Sequence, residues 1–202
     1  MNKVSSSQYW NQLYKSGEAR WDLGRPTPIF ASWFNKIYKA QRICILGAGN
    51  GWDVLNLAKK GHTVTAVDFS DVAVKNLKNS SDRLEIPIKI HNLDIFDLIL
   101  YYNNYFDIVL EYTCFCAIDP NRRQNYIKLV SDILKANGRY IGLLFPINNS
   151  SDANGPPFNV DFIETVKLFS KHMKLIFHED PLLSIPERIG REVFVIFKNH
   201  GN

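Results

Sequence analysis

The chain contains few cysteines and no long apolar run. Three cysteines in 202 residues cannot form a disulfide framework. We interpret Cys44, Cys114 and Cys116 as small buried apolar side chains, with Cys114 and Cys116 on one face of a strand and without metal-ligand spacing. The longest apolar stretches are far shorter than a membrane span, and residues 1–7 lack the apolar core of a signal peptide. We therefore expect a cytoplasmic protein.

The charges are nearly balanced and widely spread. The chain has 24 basic and 20 acidic residues, a formal net charge of +4, and no dense Lys/Arg block. Neither a nucleic acid nor a membrane is therefore an expected partner. The five histidines are scattered, so the sequence indicates no Ser/His/Asp or Cys/His nucleophile and no metal site. A length of 202 residues with 46% hydrophobic residues predicts one domain, 1–202.

Helix and strand patterns alternate along the sequence. Apolar runs predict strands at Arg42–Leu46, Thr63–Val67, Ile88–His91, Phe106–Glu111, Tyr140–Phe145, Lys174–His178 and Glu192–Phe197. Helices are expected at Ser7–Lys15, Pro28–Ala40, Gly51–Lys60, Asp71–Asn79, Asn121–Ala136 and Val160–Lys171, with Gly138 in the left-handed conformation after the fifth helix and a loop at Pro146–Pro157. This alternation predicts an α/β fold, with a mostly parallel seven-stranded sheet, helices on both faces and an antiparallel hairpin at one edge.

A glycine-rich turn follows the first predicted strand. Residues Ile43–Gly51 read Ile-Cys-Ile-Leu-Gly-Ala-Gly-Asn-Gly. An apolar run of this length is typical of a buried parallel strand, and the glycines let the turn come close to a ligand. The next helix would direct its free N–H groups toward the same place. We predict a site for a nucleotide-like cofactor, the alternative being an ordinary strand-to-helix turn.

The glycine spacing favours S-adenosylmethionine (AdoMet) over a dinucleotide. The glycines Gly47, Gly49 and Gly51 follow the order G-x-G-x-G, whereas a dinucleotide fingerprint needs a small residue at position 52. That position holds Trp52. Asp68 stands 21 residues after Gly47, at the end of the second predicted strand. A carboxylate there can accept hydrogen bonds from both hydroxyls of a ribose.

Other candidate site residues come directly after the predicted strands, where open α/β sheets bind their ligands. Phe69 could cover an adenine ring or belong to the core. Asp94, which follows Leu93 after the third strand, could accept a hydrogen bond from an adenine amino group or serve as a turn residue. Glu111 and Tyr112 follow the fourth strand.

Four blocks of sequence are similar to the thiopurine methyltransferase-like family, and most to its halide/thiol methyltransferase branch. They are Trp21–Pro28, Glu111–Ile118, Phe145-Pro146 with Gly155–Val160, and Ile185–Glu192. Their order is that of the family, and together they cover most of the chain. Within the second block, Cys114 stands where phenylalanine is usual in the branch.

The resemblance implies the Rossmann-like fold of class I AdoMet-dependent methyltransferases and assigns roles to particular residues. Residues 1–40 would form an N-terminal helical cap over the cofactor through Trp10, Tyr14 and Trp21, although tyrosine replaces the usual tryptophan at position 14. The alternative is that Trp10 and Trp21 only attach the N-terminal helix. We predict that the cofactor-binding site consists of these three residues together with Gly47, Gly49, Gly51, Asp68, Phe69, Leu93, Asp94, Glu111 and Tyr112.

The implied chemistry is in-line transfer of a methyl group to a small soft nucleophile, such as a thiol, bisulfide, thiocyanate or a halide ion. Thiopurine-type members carry arginine after the strand-four acid, where this chain has Tyr112, our candidate catalytic residue. Arg188 and Arg191 could attract an anion or could be ordinary solvated side chains. The alternatives are detoxification of selenium or tellurium species, thiopurine-type S-methylation, or a non-catalytic AdoMet-binding regulator. We expect a monomer with a small-molecule substrate.

Overall fold

The computed structural model describes residues 3–147 and 155–201. Within those residues the chain forms six α-helices and seven β-strands. The strands are β1 (Arg42–Leu46), β2 (Thr63–Asp68), β3 (Lys89–Asn92), β4 (Phe106–Tyr112), β5 (Leu134–Leu144), β6 (Met173–Glu179) and β7 (Val193–Asn199). The helices are α1 (Ser7–Lys15), α2 (Pro28–Phe34), α3 (Trp52–Lys59), α4 (Asp71–Arg83), α5 (Arg123–Ile133) and α6 (Phe162–Phe169). Short 3-10 helices lie at Lys3–Ser5, Ile95–Leu100, Phe115–Ala117, Pro120–Arg122 and Pro186–Arg188.

The strands form one seven-stranded sheet in the order β3-β2-β1-β4-β5-β7-β6. Strand β2 pairs in parallel with β1 and β3, and β4 pairs in parallel with β5. Strand β7 runs antiparallel to both β5 and β6, so β6 and β7 form the antiparallel pair at one edge. The predicted mostly parallel sheet with an antiparallel edge is therefore confirmed.

The chain divides into two compact units, Met1–Ile95 and Phe96–Asn202. The first unit contains α1 to α4 and β1 to β3. The second contains β4 to β7 with α5 and α6. The single domain 1–202 and the cap formed by residues 1–40 stay predictions.

In the first unit, buried strands support the glycine-rich turn. The last four residues of β1 are all buried, as are the residues from Val64 to Val67 in β2. Strands buried on both faces have this continuous apolar character. Helix α3 buries Val54, Leu55 and Leu57.

The core of the second unit is aromatic. The rings of Phe169 and Phe197 stack with centroids 4.4 Å apart, and Tyr140 lies 4.9 Å from Phe169. Phe115 lies 5.5 Å from Tyr126, and all five rings are almost completely buried. Aromatic packing of this kind adds to the hydrophobic stabilisation of the core. The turn after β4 packs against this aromatic core through Phe115.

Three helix predictions were wrong at their ends by three residues or more, and one of them is α4, which continues past Asn79 to Arg83. Helix α2 stops at Phe34, and Tyr38 is 94% exposed, so the apolar face does not continue to Ala40. Helix α5 stops at Ile133, because Leu134 already pairs with Phe106 of β4. The left-handed residue is Asn137 rather than Gly138.

The cysteine predictions are confirmed in part. Cys44 and Cys116 are buried, but Cys114 is only partly buried. Cys114 and Cys116 also lie in the 3-10 turn after β4 rather than on a strand. Part of the predicted loop Pro146–Pro157, residues 148–154, lies outside the described residues. None of the helices in the described parts of the chain is both long and apolar enough to span a membrane.

Candidate cofactor and acceptor sites

The glycine-rich turn adopts a backbone that side chains would disrupt. Gly47, Gly49 and Gly51 have φ angles of +62°, +54° and +80°. A Cβ atom on Gly51 would lie 2.1 Å from Cδ1 of Leu77, and one on Gly49 would lie 2.9 Å from the hydroxyl oxygen of Tyr14. Glycine is therefore needed at both positions, for the φ angle and for space. The backbone of this turn therefore depends on glycine, and its role in holding a cofactor stays a prediction.

Asp68 is held by the backbone of that turn. The N–H of Gly49 donates to Oδ2 at 2.9 Å, and the N–H of Ser70 donates to Oδ1 at 2.9 Å. Burial raises the pKa of Asp68, and backbone N–H groups, including that of Phe69, oppose the rise. A carboxylate offers about four acceptor sites, so acceptor capacity remains for a ligand. The arrangement fits the hydroxyls of a ribose.

The three N-terminal aromatic residues form one cluster beside the turn. Trp21 lies edge-on to Trp10 and to Tyr14, with centroids 5.2 and 5.4 Å apart. The Nε1–H of Trp21 donates to the Tyr14 hydroxyl at 3.0 Å. Burial raises the pKa of Tyr14, and the charge of Asp68 raises it further. The structure thus brings Tyr14 to Gly49 and Asp68, with Trp10 and Trp21 packed around it.

Sequence reasoning missed the carboxylate that ties the Trp21–Pro28 block to the start of α3. Oδ1 of Asp22 accepts hydrogen bonds from Nε1–H of Trp52 at 2.7 Å and from the N–H of Gly24 at 2.8 Å. The side-chain amide of Asn50 also donates to Asp22. Trp52, which the sequence marked only as incompatible with a dinucleotide motif, therefore anchors this block. The sequence feature that could have pointed to this role is Asp22 itself, which directly follows Trp21 in the block.

A second missed carboxylate fixes the other end of the same block. The N–H and the hydroxyl of Thr27 donate to Asp53 at 2.8 and 2.7 Å. Burial raises the pKa of Asp53 to about 6, and the two hydrogen bonds oppose the rise. The segment between Asp22 and Thr27 is therefore held at both ends by helix α3.

The remaining candidates of the first unit follow β2 and β3. Phe69, Leu93 and Asp94 are half-buried. The side-chain amide of Asn92 donates to the carbonyl of Asp68 at 3.3 Å, which joins the ends of the two strands. Contacts of these residues with an adenine ring stay predictions.

In the second unit, Glu111 shapes the turn after β4. Its Oε2 accepts from the N–H groups of Cys114 and Phe115 at 3.1 and 2.9 Å, and its Oε1 accepts from the Tyr140 hydroxyl at 2.7 Å. Burial raises the pKa of Glu111, against these hydrogen bonds. Thr113, between the strand and the turn, has a φ of +62°. Since a β-branched residue rarely adopts that angle, the Glu111 bonds stabilise a strained corner.

Tyr112 belongs to a different cluster. Its hydroxyl donates to Oε2 of Glu192 at 2.7 Å. The guanidinium carbon of Arg188 lies 4.7 Å from the Tyr112 ring and 4.8 Å from the Phe145 ring, and Arg191 lies 5.3 Å from Phe145. Arg188 is 5% exposed, so its interpretation as an ordinary solvated arginine is wrong, whereas Arg191 is exposed. Glu192 is the member of this cluster that sequence reasoning missed.

The Gly-Pro-Pro block is fastened to the turn after β4. The N–H of Phe158 donates to the carbonyl of Cys116 at 2.7 Å. The guanidinium of Arg123 donates from Nη1 to the carbonyl of Asn159 at 3.0 Å and lies 4.8 Å from the Phe115 ring. Arg123 is buried and contacts both the Gly-Pro-Pro block and the turn after β4, so it holds the two segments together.

The family model of thiopurine S-methyltransferase (TPMT) matches residues 5–198 of this chain. The chain belongs to the thiopurine S-methyltransferase family. A probable thiol methyltransferase 2 of Arabidopsis thaliana is 30% identical over 190 residues, covering 93% of this chain and 83% of that protein. Thiocyanate methyltransferase 1 of the same plant is 28% identical over 198 residues, covering 95% and 85%. A thiopurine S-methyltransferase of Francisella tularensis subsp. novicida is 25% identical, covering 86% and 84%.

Solved structures share the fold at low sequence identity. A Burkholderia thailandensis 1,6-didemethyltoxoflavin-N1-methyltransferase superposes with a TM-score of 0.78 at 17% identity, covering 96% of this chain and 86% of that one. A SAM-dependent methyltransferase from Methanosarcina mazei has a TM-score of 0.72 at 17% identity, covering 88% and 100%. The predicted fold class is confirmed by this likeness. Family membership confirms the predictions that the chain is a methyltransferase and that AdoMet is its cofactor.

Proposed function

We propose that this methyltransferase transfers the methyl group of AdoMet to a small soft nucleophile, namely a thiol, bisulfide, thiocyanate or a halide ion. The observation that carries the proposal is the cluster at the end of β4, where the Tyr112 hydroxyl donates to the buried Glu192 and the buried Arg188 lies over the Tyr112 ring. A small acceptor needs few polar contacts, and the Arg188 cation can attract a small anion. The relatives named thiol and thiocyanate methyltransferases support this acceptor class.

The first unit would hold the cofactor. The glycine-rich turn and the remaining acceptor capacity of Asp68 fit the nucleoside, and the rings of Trp10, Tyr14 and Trp21 suit a sulfonium cation, which is attracted to aromatic faces. Bound AdoMet supplies a methyl group on a positively charged sulfur. The aromatic cluster would exclude water from that group.

The second unit would prepare the acceptor. Tyr112 is our candidate catalytic residue, because its hydroxyl is fixed by Glu192 and can orient an incoming nucleophile. The Arg188 guanidinium would attract the anionic forms of the acceptor. A halide, thiocyanate or bisulfide ion already carries the reacting lone pair, so those acceptors need no general base. Glu111 is also a positioning residue in this proposal, since its carboxylate fixes the turn after β4, and its assignment to the cofactor site stays a prediction.

A headspace assay tests the proposed acceptor class. The protein is incubated with AdoMet and, in separate vials, with iodide, thiocyanate, bisulfide, a small thiol and a thiopurine, and methylated products are measured by gas or liquid chromatography. We expect products from the small nucleophiles and little from the thiopurine. Preferential methylation of the thiopurine, or of selenite and tellurite added in a parallel series, would replace the proposed acceptor. Binding of AdoMet with no product from any vial would favour a non-catalytic regulator.

A further inference from the structure

We propose that Glu192 accepts the proton of a thiol substrate through the hydroxyl of Tyr112, so that this chain is built for protonated thiols. The inference rests on the proposed function and narrows its acceptor class. Its basis is the 2.7 Å hydrogen bond from the Tyr112 hydroxyl to Oε2 of Glu192, which joins residues 80 positions apart. Glu192 is buried, and a buried carboxylate needs hydrogen-bond partners, one of which is this hydroxyl.

The partners of Glu192 suit proton transfer. The hydroxyl of Ser184 donates to its Oε1 at 2.7 Å, so hydroxyl groups donate to both carboxylate oxygens. Glu111 differs, since one of its oxygens accepts from two backbone N–H groups and only the other accepts from a hydroxyl, that of the fully buried Tyr140. A backbone N–H keeps its proton, whereas a hydroxyl can pass one on and receive another. Glu192 is 2% exposed, so water does not compete freely for its oxygens.

Arg188 supplies the complementary charge. Its guanidinium carbon lies 4.7 Å from the Tyr112 ring, and its side chain is buried. Among the residues that the structure describes, the Nη1 atom of Arg188 has no hydrogen-bond partner. An unpartnered buried donor can be satisfied by an anionic sulfur as that sulfur loses its proton. Burial and the charge of Glu192 raise the pKa of Tyr112, against the charge of Arg188, so the phenol stays protonated between turnovers.

In each turnover one proton moves from the thiol to Glu192 by way of Tyr112. The S–H bond of the thiol breaks, and its proton goes to the Tyr112 oxygen while the Tyr112 O–H proton moves to Oε2 of Glu192. The electron pair stays on the thiol sulfur, which becomes the nucleophile beside Arg188. Tyr112 ends unchanged and Glu192 ends neutral, releasing its proton to solvent before the next turnover. Iodide and thiocyanate bring no proton, so they bypass these steps.

The test compares Glu192→Gln and Tyr112→Phe with wild type, using a small alkyl thiol and iodide at saturating AdoMet. At pH 7 we expect kcat with the thiol to fall by ~100-fold, the scale of general base catalysis, with a much smaller change for iodide. The variants' thiol activity should recover as pH rises toward the pKa of the free alkyl thiol, because solvent then supplies the thiolate without the relay. Glu187→Gln, an exposed neighbouring carboxylate, is the matched control and should behave as wild type.

A second readout needs no cofactor. Thiolate formation by the bound thiol is followed by its ultraviolet absorbance on the cofactor-free protein. The thiol bound to wild type should ionise at a lower pH than the same thiol free in solution. The thiol bound to Tyr112→Phe should show no such decrease. This variant keeps the buried carboxylate, which limits the risk of a folding defect. Equal losses with thiol and iodide, or an unchanged pH profile, would overturn the relay while leaving the proposed function intact. Failure of wild type to methylate any acceptor would instead reject the proposed function.

Discussion

The backbone N–H of Gly49 donates a 2.9 Å hydrogen bond to Oδ2 of Asp68. This bond joins the glycine-rich turn after β1 to the carboxylate at the end of β2. It fixes the direction of the carboxylate, which still has acceptor capacity for a ligand. The turn and the acidic residue therefore form one structural unit, which we propose holds the cofactor.

Removing the Asp68 carboxylate should weaken cofactor binding. We expect Asp68→Ala to lose about 1.5–3 kcal/mol of AdoMet binding free energy, the scale of hydrogen bonds to a charged group. Isothermal titration calorimetry measures the loss, and thermal denaturation checks the fold. Asp82→Ala, an exposed aspartate on α4, is the control and should bind as wild type. An unchanged affinity in Asp68→Ala would remove this residue from the site.

Alanine substitutions should separate backbone strain from lack of space. Gly61 has a φ of +84° and no atom within 4 Å of the position that a Cβ would occupy, so Gly61→Ala should lose about 1–2 kcal/mol of unfolding free energy from the φ angle. Gly51→Ala adds a 2.1 Å approach to Leu77 and should lose about 1–3 kcal/mol more. Urea unfolding gives both values. Similar losses in the two variants would contradict this prediction, because they would mean that the Leu77 side chain moves aside at little cost in free energy.

The pH dependence of stability should reveal Asp53. Its pKa rises from an ordinary 3.8 to about 6 on folding, so the native state binds its proton more tightly than the unfolded chain does. The stability that this proton contributes is complete below the unfolded pKa and is lost as pH rises through about 6. We therefore expect plots of unfolding free energy against pH to differ in slope between wild type and Asp53→Asn from about pH 4 to 7. Parallel curves would contradict the assignment.

Arg123 should matter more than its neighbour Arg122. Arg123→Lys removes the fork that donates to the carbonyl of Asn159 and should destabilise the protein by about 2 kcal/mol. Arg122 lies over the Phe96 ring at 3.9 Å, and Arg122→Lys, the control, should lose no more than about 0.5–1 kcal/mol. Chemical denaturation compares them. Equal losses would mean that Arg123 does not clamp the Gly-Pro-Pro block.

Local patterns predicted the fold and the glycine-rich turn well. The strand ending at Leu46, the three glycines and Asp68 depend on residues close in sequence, and α1 begins and ends at the predicted residues, Ser7 and Lys15. The end of α5 was wrong because a glycine after a helix predicts a cap, whereas Leu134 had already joined β4 through Phe106. Strand pairing overrode the local signal.

Long-range pairs were beyond the sequence. Glu192 meets Tyr112 across 80 residues, and Thr27 meets Asp53 across 26, so no spacing rule connects either pair. The resemblance placed Glu192 inside a motif without giving it a role. Asp22 was visible within its motif, but its bond to Trp52 depends on the tertiary fold. These carboxylates become recognisable only when their partners are known.

The central claim is that the Gly47–Gly51 turn and Asp68 hold AdoMet. A crystal structure of the protein with S-adenosylhomocysteine, the product left after methyl transfer, tests it most directly. The account predicts the ribose hydroxyls within hydrogen-bond distance of the Asp68 carboxylate and the backbone of Gly49 against the ligand. Electron density for the compound elsewhere on the protein, with this turn making no contact, would contradict it.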